Sequence, residues 1–189
     1  MREQILEIAE IQMKEGGYDF LNFAIISKQL NTSRANLHYH FKNKETLAVE
    51  VTKRFIVDQE ADLQKLIAQF HGNFPGLVMA MEDWLWFHRE SHGNVSPCVC
   101  AQIIRQPEIP EALLNLAKEH FNNFRTMLFS EIQASQENGI LRKDVSHLQI
   151  GVEVSAIMQG LQQMILIMND NEIKMLKGTI KNWLKNYTV

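Results

Sequence analysis

Residues 22–47 read NFAIISKQLNTSRANLHYHFKNKETL, and the reading of this stretch decides the fold. Asn22 is a good helix N-cap, and Phe23, Ile26 and Leu30 recur at three and four residues to make one apolar face. Asn31-Thr32 breaks that pattern. Asn is the non-glycine residue that most readily takes the positive φ a sharp helix-turn-helix corner needs. Ser33 caps a second short helix, Arg34 to His40, which Leu37 and Phe41 tie to a core. Arg34, Ala35, Asn36, His38, Tyr39 and His40 remain outward, followed by Lys42 and Lys44. This is the chemistry of a helix that reads the major groove. Arg and Asn pair bidentately with guanine and adenine edges, while Tyr, His and Lys reach phosphates. The expected base contacts are therefore Arg34, Asn36 and Ala35, the last against a thymine methyl. The expected phosphate contacts are His38, Tyr39, His40 and Lys44, the lysine standing at the positive end of the next helix.

Outward from that stretch the pattern stays helical. A first helix is expected over Glu3–Lys14, with Ile5, Ile8, Ala9 and Met13 on one face and Gly16-Gly17 ending it. Asn43 should cap a long helix over 44–70, and the run His71-Gly72-Asn73-Phe74-Pro75 is the first clear break after it. Further helices are expected from Pro75 to His92, from Ser96 to Arg105, over 111–137 and over 146–168, with a single last helix from Asn171 to Tyr187. There is no strand pattern and no internal repeat. The expected fold is all-α: an N-terminal three-helix domain with a helix-turn-helix, 1–46, and a larger C-terminal helical domain, 47–189.

Composition sets the class. The chain has 189 residues, 46% of them hydrophobic and 22% charged, ordinary for a globular protein with a substantial core. The N-terminus MREQILEIAEIQMKE alternates apolar and charged positions at helical spacing, so it is not read as a signal peptide. No uninterrupted apolar run approaches the roughly 18 residues of a membrane span, and a cytoplasmic protein without a membrane partner is expected. Net charge is −3, yet Lys28, Arg34, Lys42, Lys44, Lys53 and Arg54 outweigh Glu45 and Glu50 between residues 28 and 54. A basic stretch inside an acidic protein fits one DNA-facing surface.

From about Ile5 to Leu47 the sequence resembles the DNA-binding domain of the TetR family of bacterial regulators. The resemblance rests on Thr32-Ser33-Arg34, Leu37-His38-Tyr39-His40-Phe41-Lys42-Asn43-Lys44-Glu45 and Leu47, with Gly17-Tyr18 at the family's distance. Asn31 stands where the family usually has Gly, His38 where it has Tyr, and Ala24-Ile25 where a polar pair is common. The resemblance implies a homodimer, since one short helix reads only a few base pairs. Two such helices roughly 34–36 Å apart read a palindrome in successive major grooves. It also implies a small effector held in the helical body.

The two last helices are read as the dimer interface, a four-helix bundle with their copies, through Ile157, Leu161, Ile165, Ile180, Trp183 and Leu184. The expected effector pocket draws on Trp84, Phe87, His88, Cys98, Gln102, Phe121, Phe124 and Met158, whose chemistry suits an apolar or aromatic ligand. Cys98 and Cys100 are too close together to make a disulfide framework, and the scattered histidines supply no metal motif. Cys98, at an expected helix start, could instead be a sensing thiol, and a helix would keep the two cysteine side chains apart. No Gly-rich phosphate loop, G-x-S-x-G or H-E-x-x-H is present, so neither an enzyme nor a cofactor is expected. The function expected is a sequence-specific DNA-binding regulator, a repressor released from a palindromic operator by an effector. The alternatives are a thiol-based regulator using Cys98 and a helical ligand-binding protein with an inactive head.

Overall fold

The computed structural model describes all residues 1–189, and the chain is built from helices joined by short turns. In order they are α1 (Arg2–Phe20), α2 (Phe23–Gln29), α3 (Arg34–His40), α4 (Lys44–Phe70), α5 (Phe74–His92), α6 (Val99–Ile103), α7 (Glu111–Glu137), α8 (His147–Ile167), α9 (Asp170–Leu176) and α10 (Thr179–Leu184). The sole extended pairing is an isolated bridge between Leu141 and Thr188. The expected all-helical fold is what forms.

The chain packs as two compact units, residues 1–60 with 96–121, and residues 61–95 with 122–189. The first unit thus reaches well beyond residue 46. Its core joins Ile5, Ala9, Met13, Ile26, Leu37, Phe41, Leu47, Val51 and Phe55 to Val99, Cys100, Ile103, Leu113 and Ala117. α6 packs along α1 because Val99, Cys100 and Ile103 offer that helix a fully buried apolar edge. Three helices of this size bury little surface by themselves, and the added segment completes their core.

In the second unit, α5, α8, α9 and α10 gather with the C-terminal half of α7 around Leu77, Leu85, Leu128, Ile132, Val154, Leu161, Ile165 and Ile180. The turn between α4 and α5 carries backbone groups that α7 satisfies. The buried Glu131 carboxylate accepts from the Gly72 N–H at 3.0 Å and meets His71 Nδ1 at 3.0 Å. The Ser135 hydroxyl accepts from the Phe74 N–H at 3.2 Å, and the Asn138 amide donates to the Gly72 carbonyl at 3.2 Å.

Three expectations change. α1 does not stop at Lys14 but resumes past a break at Gly17, whose φ of 70° lies in the left-handed region. The single last helix is two, because Gly178 at φ 89° and ψ 7° interrupts it. α8 also has the length and apolarity of a membrane span, although polar residues interrupt its apolar runs well short of that length. Its Ile150, Val154, Met158, Leu161 and Ile165 are buried in the second unit, which accounts for one face of that apolarity.

Replacing Glu131 with Ala strands the Gly72 N–H in a buried site and should cost about 1–3 kcal/mol of stability. The measurement is the urea midpoint at constant slope.

Candidate DNA interface

α2 and α3 meet at a corner made by local hydrogen bonds. The Asn22 carboxamide oxygen accepts from Ala24 N–H at 2.8 Å and starts α2, while the Ser33 hydroxyl accepts from Asn36 N–H at 3.1 Å and starts α3. Between them Asn31 has φ 49°, the one non-glycine residue with positive φ. Both caps and the left-handed Asn stand where the sequence pattern puts them. Leu37 and Phe41 are fully buried, so α3 is fixed to the core by one face and free on the other.

Along the free face Arg34 and Ala35 are exposed, and Tyr39 is 84% exposed with its ring edge-on to His40. An aromatic side chain that open, on a helix fixed from below, is presented rather than packed. His38 is exposed but propped, its ring 4.9 Å from that of Phe23 and Nδ1 3.3 Å from the Lys42 carbonyl. Asn36 is turned inward, since its amide donates to Thr32 Oγ1 at 2.9 Å and stiffens the corner. Lys44 is engaged with its own unit. Its ammonium donates to the Asp19 carbonyl at 3.1 Å and lies 4.6 Å from the centre of the Tyr18 ring. Arg54 is likewise held, by Glu3 and by Glu10 at 3.1 Å. Lys28, Arg34 and Lys42 are the exposed cations beside α3.

The expected effector residues divide between the units. Cys98, Gln102 and Phe121 lie in the first, whereas Phe124 and Met158 pack in the core of the second. His88 is buried there, stacked on His92 at 4.5 Å with Nε2 3.1 Å from the Val95 carbonyl. Trp84 and Phe87 are 42% and 64% exposed, so neither is enclosed within its unit. Phe87 borders a cleft of about 390 Å³ with Met79, Glu82, Asp83, Trp86 and Lys177, a lining richer in charge than expected. Glu82 at its edge accepts from the Gly178 N–H at 3.1 Å, and burial pushes its carboxyl pKa up.

The expected dimer residues need a larger correction. Leu161, Ile165, Ile180 and Leu184 are at most 4% exposed inside a single chain, so they cannot also face a partner. The outward edge of α8 is Leu148, Val152, Ala156, Gly160 and Ile167, at helical spacing one step round from the expected set. Ile157 and Trp183 are half-buried, and the Trp183 indole N–H donates to Glu153 at 3.1 Å.

The cysteines also differ from expectation. Cys98 is the N-cap of α6 with extended backbone, φ −131°, so its side chain folds over the first turn and Sγ accepts from Ala101 N–H at 3.4 Å. That brings it against Cys100 instead of leaving the two apart. A hydrogen bond from Cys100 chiefly holds the Cys98 thiol well below its ordinary pKa, against the opposing effect of burial, and His120 and the Ala101 N–H add to it.

A short, doubly anchored helix with an exposed basic and aromatic face, set after a left-handed corner, defines a helix-turn-helix DNA-binding protein. Residues 5–51 match the sequence profile of the bacterial regulatory proteins of the tetR family. Over 137 residues the chain is 26% identical to the biofilm operon icaADBC HTH-type negative transcriptional regulator IcaR of Staphylococcus epidermidis, covering 70% of this chain and 67% of that one. A TetR-family transcriptional regulator from Agrobacterium tumefaciens superposes with a TM-score of 0.88 at 20% identity, over 100% of this chain and 97% of that one. A transcriptional regulator from Saccharomonospora viridis in complex with choline gives 0.74 at 18% identity, over 100% and 97%. Residues 5–51 are thus similar to the DNA-binding domain of tetR-family regulators, and the whole chain shares the fold of the solved TetR-family regulator from Agrobacterium tumefaciens.

Ser33→Ala removes the α3 cap and should cost about 1 kcal/mol. Amide exchange at Ala35–Leu37 should accelerate more than exchange at α2, and an equal change in both helices would deny the cap a local role.

Proposed function

We propose that the chain is a homodimeric repressor that holds a palindromic operator and leaves it when a small organic effector binds its helical body. The observation that carries this reading is the open face of α3, where Arg34, Ala35 and an 84% exposed Tyr39 surround a fully buried Leu37. Arg34 and Ala35 read bases. Asn36 joins them by exchanging its bond to Thr32 for one to a base edge. His38, Tyr39, His40 and Lys42 take phosphates, and Lys44 fixes the start of α4. The relative from Staphylococcus epidermidis is a negative transcriptional regulator, and the regulator from Saccharomonospora viridis binds the small molecule choline. The apolar outward edge of α8, Leu148, Val152 and Ile167, serves as the dimer face. The protein acts in the cytoplasm, where its DNA lies.

Selection of preferred sequences from random duplex DNA tests this, with a palindrome of half-sites about a helical turn apart expected. Arg34→Ala should cost about 1–3 kcal/mol on the selected operator and relax preference at one position. Lys42→Ala should weaken every sequence alike and lower the slope of log affinity against log salt by about 1. Enrichment of no sequence would sink the reading.

The Cys98–Cys100 contact favours a second reading, in which Cys98 thiolate takes an electrophile and thereby sets the switch. Alkylation by iodoacetamide measures it. Because the thiol pKa is lowered, Cys98 should stay reactive as pH falls from about 8 through 7, where an ordinary thiol near 8.5 loses its thiolate. Cys98→Ser should abolish that reactivity together with any response to electrophiles. A rate that falls with pH like a free thiol would leave the reversible effector alone.

A further inference from the structure

α1 is interrupted at Gly17, and an interruption inside a packed helix leaves backbone groups without their usual partners. Two of them, the Gly16 carbonyl and the Tyr18 N–H, are met by one side chain. Gln106 Nε2 donates to the Gly16 carbonyl at 2.9 Å, and Gln106 Oε1 accepts from the Tyr18 N–H at 2.8 Å. Gln106 is itself anchored, since its backbone N–H donates to the Ile103 carbonyl at 3.2 Å as the chain leaves α6. Any other residue at the break would be strained by its φ of 70° and would push the Gln106 carboxamide aside. A Cβ on Gly17 would stand 2.8 Å from the Gln106 carboxamide.

What lies just beyond the break is the reference frame of the reading head. The Asp19 carbonyl takes the Lys44 ammonium, and the Tyr18 ring lies beneath it, so the start of α4 is fixed to residues 18 and 19. The Gln12 carboxamide, just before the break, accepts from the Asn22 N–H at 2.9 Å and fixes the start of α2. Both ends of the α2–α3 unit therefore hang on α1, one on each side of Gly17. The angle at Gly17 sets where they stand.

We infer that Gln106 is a positioning residue for DNA binding, a latch by which the 96–121 segment holds α1 at its break and so holds α3 in reading geometry. It touches no DNA. Its loss should loosen the head without dismantling the core, because the apolar packing of Val99, Cys100 and Ile103 on α1 does not depend on it. The inference rests on the DNA-binding role proposed above and on no particular effector.

The test uses the full-length protein and the variants Gln106→Ala and Gln106→Glu. Glutamate has the same reach and still accepts from Tyr18, but it donates to the Gly16 carbonyl only when protonated. Hydrogen exchange needs no DNA. At about pH 8 both variants should speed amide exchange through α2 and α3, and Gln106→Ala also at Tyr18, while α8 is unchanged. On an operator selected with the wild type, each should bind about tenfold more weakly at that pH, the worth of one to two hydrogen bonds. As pH falls to about 4, where a glutamate side chain takes up its proton, Gln106→Glu should return toward wild-type affinity and exchange, whereas Gln106→Ala should not. Each value is read as a ratio to wild type at the same pH, which cancels His38 and His40 on α3, Tyr18 and Asp19 on α1, Lys44 and Glu45 on α4, and Arg105 beside the latch. If Gln106→Ala fails to fold, the pH response of Gln106→Glu decides alone. Unchanged exchange at α2–α3, or a loss in Gln106→Glu that ignores pH, overturns the inference. A wild type that selects no operator removes the repressor reading while exchange still judges the latch.

Discussion

Everything in the first unit depends on a backbone that must be broken and satisfied at the same place. Gly17 is buried, and its φ of 70° removes the local helical pairing around it. A buried amide or carbonyl without a partner costs on the order of 1–3 kcal/mol, so such a break persists only where other groups meet it. Gln106 does so from far along the chain. The consequence is that the DNA-reading helices are not an autonomous module with a body attached, because the segment around α6 completes both their core and their hydrogen bonding.

Electrostatics sharpen the division of labour near α3. The positive charge between residues 28 and 54 is partly internal: Arg54 is committed to Glu3 and Glu10, and Lys44 to the Asp19 carbonyl. Lys28, Arg34, Lys42 and Lys53 are what the surface presents. A cation that is held by its own fold contributes orientation, and one that stands in water contributes counterion release when it meets a phosphate. Counting lysines along the sequence cannot separate those roles.

The parts of the fold legible in sequence were those fixed locally. Asn22, Ser33 and Asn43 cap helices through their own side chains, and Asn31 turns the corner through its own φ. The bounds of α4 and α7 follow from such signals. What was not legible depended on distant partners or on a choice between equivalent faces. α8 is apolar on both sides, so periodicity alone could not tell Leu161 and Ile165, which face the core, from Val152 and Ile167, which face out. Gly178 looks like any helical glycine until its φ is seen. Cys98 sits one residue before its helix, and that single step turned two separated thiols into neighbours. Gln106 carries no motif at all.

The turn pinned by α7 also bears on how the protein ages. Asn138 is followed by Gly139, a pair in which the asparagine carbonyl is readily attacked by the next backbone nitrogen, and asparagine is among the thermolabile residues for such reasons. Here the Gly139 N–H is spent on the Gln136 carbonyl at 3.1 Å, and the Asn138 amide is held by the Gly72 carbonyl. Folding thus shields a site that the unfolded chain would expose to cyclisation. Once deamidated, the side chain loses the donor that Gly72 requires and places a carboxylate against a carbonyl. Each excursion through the unfolded state therefore carries a small chance of a chemical change that makes the next excursion easier.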